Sequence, residues 1–273
     1  MKLALGTVQF GLDYGVSNKA GQVKPPEVGR ILREAKKYEI GTLDTAIAYG
    51  DSERVLGDVG VRNFDIVTKL PPIPKNTRDV AGWLNNQVQS SLKRLRVESL
   101  SGLLMHKSSD LFKTSDFELF DGLCKLKEDG VVDKIGVSVY NPDELDALAE
   151  RSIEIDIVQA PFNILDRRIE SSGWLHRLTS AGIEIHTRSA FLQGLLLQNK
   201  EQRNLFFNKW NNHFKIFDEW INDTKQTRLG ASLNFVYSYR DISKVIVGVQ
   251  SKDQLSEVMN SISQDRQLFV PSE

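Results

Sequence analysis

Four residues carry side chains able to move a proton and to answer the charge it leaves behind: Asp44, Tyr49, Lys69 and His106. Asp44 and Tyr49 stand in Gly41–Glu53, reading GTLDTAIAYGDSE, where a short apolar approach ends in a carboxylate and a phenol follows on the next loop. Asp51 or Ser52 reads as the cap of a following helix, with Glu53 in its first turn. Lys69 closes the run Asp-Ile-Val-Thr-Lys, and His106 closes Gly-Leu-Leu-Met ahead of the polar loop HKSSD. Buried strands rarely end in Asp, Lys and His unless those charges meet one another or a ligand. Each residue also has a plainer reading: Asp44 bonding backbone N–H groups, Tyr49 packing as a lid, Lys69 solvated, His106 satisfied in a turn.

Together the four make an acid/base device without a nucleophile or a metal cage. Free tyrosine titrates near ~10, too high for an efficient proton donor at neutral pH. A cation about 4 Å away, at an effective dielectric of about 20, contributes roughly 4 kcal/mol, so Lys69 is expected to pull the Tyr49 pKa down. Asp44 would keep Lys69 charged and oriented, and His106 would hold the reacting oxygen. Such a site can protonate a carbonyl oxygen. A hydride from a nicotinamide then fits the attack on carbon.

The elements that must position these groups recur along the chain. Short β-branched or apolar runs fall at Leu3–Val8, Thr42–Thr45, Asp65–Lys69, Leu100–Met105, Lys134–Val139, Ile155–Ala160, Glu184–Ser189 and Lys244–Val249. Several are continuous apolar strings, the pattern of strands buried on both faces. Between them lie helix-period segments: Glu27–Tyr38, the span begun at Asp51–Glu53, Asp79–Arg96, Asp116–Asp129, Pro142–Glu150, Glu170–Ala181, Arg228–Tyr239 and Lys252–Ser263. Asp129-Gly130 and Ala181-Gly182 read as helix stops. The alternation predicts an α/β fold, a (β/α)8 TIM barrel forming a single domain over 1–273. Gly6-Thr-Val-Gln-Phe-Gly11 lacks the GxGxxG spacing that an open dinucleotide-binding sheet would show. The barrel mouth would then gather Asp44, Tyr49, Lys69, His106, Ser138, Gln159, Arg188 with Ser189, and Gly248 to Ser251.

Composition narrows the rest. A chain of 273 residues with 40% hydrophobic and 26% charged content is that of an ordinary globular enzyme. Its net charge of −1 argues against nucleic acid or an anionic membrane as partner. The lone cysteine, Cys124, falls in a helical pattern, excludes an internal disulfide and suggests a reducing compartment. No signal peptide or membrane span is legible, so a cytoplasmic location is expected. His106, His176, His186 and His213 show no zinc-ligand pairing, and no GxSxG elbow supports a hydrolase.

The motifs LDTAIAYGDSERVLG (Leu43–Gly57), VTKL (Val67–Leu70), SLKRL followed by LLMH (Ser91–His106) and GVVDKIGVSVYN (Gly130–Asn141) resemble the aldo-keto reductase family. So do GIEIHTRSAFLQGLL (Gly182–Leu196) and VIVGVQSKDQLSE (Val245–Glu257), so the resemblance runs the length of the chain. It implies a barrel that binds NADP(H) in extended form across its mouth, with NAD as the alternative, and reduces a small-molecule carbonyl. The family's catalytic tetrad falls on Asp44, Tyr49, Lys69 and His106, with Tyr49 as acid/base. Ser138 and Gln159 match the positions that hold the nicotinamide carboxamide. Ser189, Phe191, Gln193 and Gly194 match the pyrophosphate loop; Gly248, Gln250, Ser251 and Gln254 match the adenosine and 2′-phosphate end, and Gly6 and Thr7 complete the implied cofactor site.

Three departures from the family pattern stand out. Val139 follows Ser138 where the family commonly has Asn. Arg188 replaces the aromatic that stacks on the nicotinamide, a planar group that adds a charge. Gln250 and Gln254 stand where bases often hold the 2′-phosphate, leaving Lys252 and the last helix's N-terminus.

The substrate side is less specified. Leu205–Ile221 holds Phe206, Phe207, Trp210, Phe214, Phe217 and Trp220 at helical spacing, expected as a core-facing helix. The short tail Arg266–Glu273 suggests an open mouth suited to polar aldehydes, ketones or sugar-like carbonyls. A monomer is the family-based expectation. Two other classes remain: a slow NADP-binding regulatory or sensor protein on the same scaffold, and a cofactor-free isomerase or lyase using Tyr49 and Lys69 directly.

Overall fold

The apolar strings become the staves of a closed barrel. In a computed structural model of the chain, residues 1–18, 20–112 and 118–263 are described. Eight parallel strands pair in sequence order and close on themselves: β1 (Leu3–Gly6), β2 (Thr42–Asp44), β3 (Asp65–Leu70), β4 (Gly102–Met105), β5 (Ile135–Ser138), β6 (Ile157–Pro161), β7 (Glu184–Arg188) and β8 (Lys244–Gly248). The crossovers carry α1 (Pro25–Lys37), α2 (Ser52–Val59), α3 (Val80–Leu95), α4 (Glu118–Glu128), α5 (Asp143–Ala149), α6 (Trp174–Ser180), α7 (Asn211–Thr224) and α8 (Arg228–Ser238), with α9 (Lys252–Ser263) after β8. The expected barrel is present, each strand within a few residues of its expected bounds.

Parallel pairing fixes which residues share the interior face. Gly6 stands in register with Asp44 and with Gly248, and Asp44 with Val67. Further round, Lys69 registers with Leu104, Ser138 with Gln159, and Pro161 with Arg188. Val67, Leu104 and Ile157 form an apolar plug inside the barrel, so the polar residues at the strand ends rest on a dry floor. The larger core lies between strands and helices.

The two expected stops are real: Gly130 (φ 70°) and Gly182 (φ 72°) both adopt the left-handed conformation that glycine tolerates. Three local expectations need correction. The expected helix Glu170–Ala181 is two pieces, Arg168–Ser171 and α6, parted at Gly173 with φ 80°. Asp51 does not cap α2 with its side chain; it pairs with Arg54 instead, while the Ser52 hydroxyl turns inward. The aromatic run also divides. Phe214, Phe217 and Ile221 of α7 pack with Leu195 and Leu196 in a separate cluster, but Phe206 lies in a preceding turn and stays 65% exposed.

The start of the helical span Asp116–Asp129 lies outside the described residues, as does the tail Arg266–Glu273. No helix among the described residues is long and apolar enough to cross a membrane.

Candidate active site

Gly6 and Asp44 end neighbouring strands, and the loops that follow are locked by buried hydroxyls. The Thr7 hydroxyl donates to the Asp44 carbonyl oxygen at 3.0 Å. The Ser52 hydroxyl donates to the Thr7 carbonyl oxygen at 2.9 Å and lies 3.1 Å from the Thr45 hydroxyl. Gly11 closes the lock from outside. A Cβ there would stand 1.8 Å from the Tyr49 carbonyl oxygen and 2.4 Å from the Ser52 nitrogen, so only glycine lets these loops meet. Tyr49 is thus carried on a loop held at both ends.

Glu53, read from sequence only as a first-turn helix acid, is a buried hub. It accepts from the hydroxyls of Thr68 and Ser91, both at 2.7 Å, and from Arg94 Nε at 2.8 Å. Thr68 adjoins Lys69 on β3, so the hub ties the lysine's strand to α2 and α3. Nothing in the local sequence signals this; the partners lie far along the chain.

Lys69 is fully buried. Its ammonium donates to both Asp44 carboxylate oxygens, at 2.8 and 2.7 Å, and to the Thr45 carbonyl oxygen at 2.8 Å. An ammonium has three donors, and all three are used. Asp44 also accepts from Gln159 Nε2 at 2.7 Å. Lys69 therefore forms no hydrogen bond to the Tyr49 hydroxyl; its nitrogen lies 5.2 Å from the centre of the Tyr49 ring. Burial, opposed by Asp44, holds the lysine pKa below its ordinary value.

The expected depression of the Tyr49 pKa is not found. Burial drives it upward and the Asp44 charge adds to the rise, while Arg188 opposes. The main cause is burial, which disfavours the phenolate; the Asp44 charge adds to it, and Lys69, held against Asp44, does not offset them. Tyr49 stays a protonated phenol. His106 meets its ring edge-on, centroids 5.9 Å apart at 80°. Burial and the Lys69 charge push the His106 pKa down to about 4, so the imidazole is neutral near pH 7.

Tyr49, His106 and Asp44 open onto a cleft of about 640 Å³ across the barrel mouth, a size ordinary for small-molecule sites. Gly6, Thr7, Ser138, Gln159, Arg188, Ser189, Phe191, Gln193, Gly194, Gly248, Gln250 and Gln254 all line it. Ser251 is not on its wall; the Ser251 hydroxyl accepts from the Gln254 nitrogen at 3.1 Å and so starts α9. Lys69 lies beneath the floor.

Three amide atoms on this wall are buried without a hydrogen-bond partner: Gln9 Oε1, Gln159 Oε1 and Gln250 Nε2. Unsatisfied buried polar atoms are costly, and on the wall of a cleft they are open to bonding by a ligand or water. Two acceptors and one donor suit an amide- and hydroxyl-rich ligand of extended shape, such as a nicotinamide dinucleotide.

Sequence reasoning missed Gln9, Tyr14, Tyr140, Arg228 and Glu257, all of which also line the cleft. Tyr140 follows Val139 directly and is the one with a local signal, an aromatic just past a strand end. At the far end, Lys252 lies off the wall of the cleft in an exposed pair with its neighbour Asp253, at 2.9 Å, and Arg228 is paired with Asp218 at 2.8 Å. Among the described residues no cluster of His, Cys, Asp or Glu could hold a metal ion.

Known proteins resemble this chain along its length. An L-glyceraldehyde 3-phosphate reductase of Escherichia coli is 23% identical over 92% of this chain and 84% of its own. An NADH-specific methylglyoxal reductase of the same bacterium is 31% identical over 60% of this chain and 56% of its own. A chloroplastic pyridoxal reductase of Arabidopsis thaliana is 32% identical, but the match spans only 46% of this chain and 40% of that protein. Among solved structures, the holo form of an aldo-keto reductase from Bacillus halodurans superposes with TM-score 0.76 at 18% identity, covering 98% of this chain and 88% of that one. A glycerol dehydrogenase from Gluconobacter oxydans gives TM-score 0.75 at 22% identity over the same shares. The aldo/keto reductase family model itself matches residues 2–267. With a match of that extent and a barrel of the same build, the chain belongs to the aldo/keto reductase family.

Proposed function

We propose that this protein reduces an aldehyde or ketone to the alcohol with a nicotinamide cofactor, Tyr49 delivering the proton. The observation that carries this reading is the pairing of a protonated Tyr49 with a neutral His106 at the mouth of a cleft whose wall holds unpartnered amide atoms. The cofactor, when bound, supplies the hydride to the carbonyl carbon.

The chain's own residues do the rest. Gln159 offers Oε1 and Ser138 its hydroxyl to the carboxamide, and the Gln159 amide nitrogen stays on Asp44. Ser189, Phe191, Gln193 and Gly194 would hold the pyrophosphate, and Gly248, Gln250 and Gln254 the adenosine, with Gly6 and Thr7 on the same wall. His106, as a neutral imidazole, donates a hydrogen bond to the carbonyl oxygen and orients it toward Tyr49. Tyr49 then gives its proton to that oxygen. Lys69 holds the Asp44 carboxylate and the Thr45 carbonyl, and so fixes the start of the loop that carries Tyr49. The substrates named for the relatives, glyceraldehyde 3-phosphate and methylglyoxal, support a small polar carbonyl.

A titration of the protein with NADPH and NADH, read by quenching of Trp83, Trp174, Trp210 and Trp220, tests the reading together with oxidation of the reduced cofactor by a carbonyl panel. Saturable binding with turnover is expected. Binding without turnover of any carbonyl would favour the sensor alternative, and binding of neither cofactor would sink both.

A further inference from the structure

Charge around the cleft is almost fully paired. Asp44 is met by Lys69 and Gln159, and Arg228 by Asp218. The exceptions are Glu257, exposed on α9, and Arg188. Arg188 ends β7, lines the cleft, and among the described residues makes no ion pair. Its guanidinium has five N–H donors; one, on Nη2, reaches the Val139 carbonyl oxygen at 3.1 Å. The Tyr140 ring stacks 4.2 Å from the guanidinium carbon, and Tyr140 is itself 58% exposed. Stacking and one bond fix the plane of the group while its remaining donors stay available, the arrangement suited to a bidentate oxyanion. The Arg188 charge also lowers the proton affinities of Tyr49, His106 and Lys69, so it is felt at the reacting end of the cleft.

We propose that Arg188, held flat by Tyr140, binds an anionic group of the carbonyl substrate, so that this protein prefers carboxylated or phosphorylated aldehydes and ketones to neutral ones. The inference rests on the reduction reading above and names its substrate class. Tyr14, which also lines the cleft and feels the Arg188 charge, closes the same end of it.

The test is steady-state reduction of two pairs: para-carboxybenzaldehyde against para-carbamoylbenzaldehyde, near-isosteric and different in charge, and glyceraldehyde 3-phosphate against glyceraldehyde, which differ by the phosphoryl group. At least one anionic member is expected to show a kcat/KM about 10-fold or more above its neutral partner, and the pair that does so tells carboxylate from phosphate. In Arg188→Met that preference should fall toward unity, and in Arg188→Lys part of it should return, because the charge remains without the planar fork. Added KCl should erode the wild-type preference. Circular dichroism and an NADPH titration accompany each variant, and Arg188→Lys carries the test if Arg188→Met does not fold.

Equal kcat/KM within both wild-type pairs, or a preference that survives Arg188→Met, overturns the assignment and leaves the reduction reading standing. A loss of NADPH affinity with the preference kept assigns Arg188 to the cofactor's phosphates and overturns it as well. Turnover of no carbonyl of either pair, with the protein folded, overturns the reduction reading and this inference with it.

Discussion

Lys69 and Asp44 meet inside the barrel with the ammonium 2.7 Å from one carboxylate oxygen and 2.8 Å from the other, both side chains almost wholly out of water. The pair is thereby a structural unit as much as a source of field. Removing one partner strands a charge in a dry interior, which costs about 3–5 kcal/mol, whereas removing both costs much less. Lys69→Met should therefore destabilise strongly, and Lys69→Met with Asp44→Asn should recover most of that loss. Urea unfolding of the two variants decides it. A double variant no more stable than the single one would mean the pair contributes net stability of its own.

Glu53 makes a separate prediction, because its three partners join β3, α2 and α3. Glu53→Gln keeps the volume but turns an amide toward Arg94 or the two hydroxyls. A loss of about 2–3 kcal/mol is expected, seen as a fall in Tm of about 4–8 °C. A Tm within about 1 °C of wild type would show that the hub is replaceable.

His106 sets an acid limit. Its folded pKa of about 4 lies below the unfolded value near 6.5. Above pH ~6.5 both states are neutral and the folded state keeps its full stability; as pH falls from there toward about 4 the unfolded state takes the proton first and stability drains away. With allowance for the partial exposure of the ring, the loss should reach about 1–2 kcal/mol by pH ~4. His106→Asn should flatten that part of the stability-against-pH curve. An unchanged slope would place the titration elsewhere.

At the adenosine end, Gln254 accepts a hydrogen bond from the Gln250 nitrogen at 2.8 Å and offers no charge. Gln254→Arg should raise the kcat/KM for NADPH relative to NADH by about 10-fold, the value of one charge-assisted phosphate contact. Unchanged relative values for the two cofactors would remove Gln254 from the 2′-phosphate site.

Much of this site was legible because charge at the end of a buried strand is conspicuous. Asp44, Lys69 and His106 each terminate an apolar run, and the period of those runs specifies a barrel, so their convergence follows from topology. What escaped was long-range. Glu53 reaches Ser91 and Arg94, Gln9 and Tyr14 come to the cleft from a single helical turn and the loop after it, with no periodic signal, and Ser251 spends its hydroxyl on its own helix. The misjudged Tyr49 pKa has the same origin. Spacing shows that Lys69 is near, but not how deeply Tyr49 is buried, nor that Asp44 and Thr45 accept from all three of the lysine's N–H donors. The aromatic run divided because Leu205–Trp210 is a separate turn, which puts Phe206 outside the face that Phe214 and Phe217 bury.

The account turns on the Tyr49 hydroxyl, and Tyr49→Phe tests it with one atom removed. The variant should lose about 100- to 10,000-fold in kcat for carbonyl reduction, while its Kd for the nicotinamide, measured by tryptophan quenching in the same preparation, stays within about twofold. Turnover near the wild-type rate, with that affinity preserved, would contradict the assignment of Tyr49 as the proton donor.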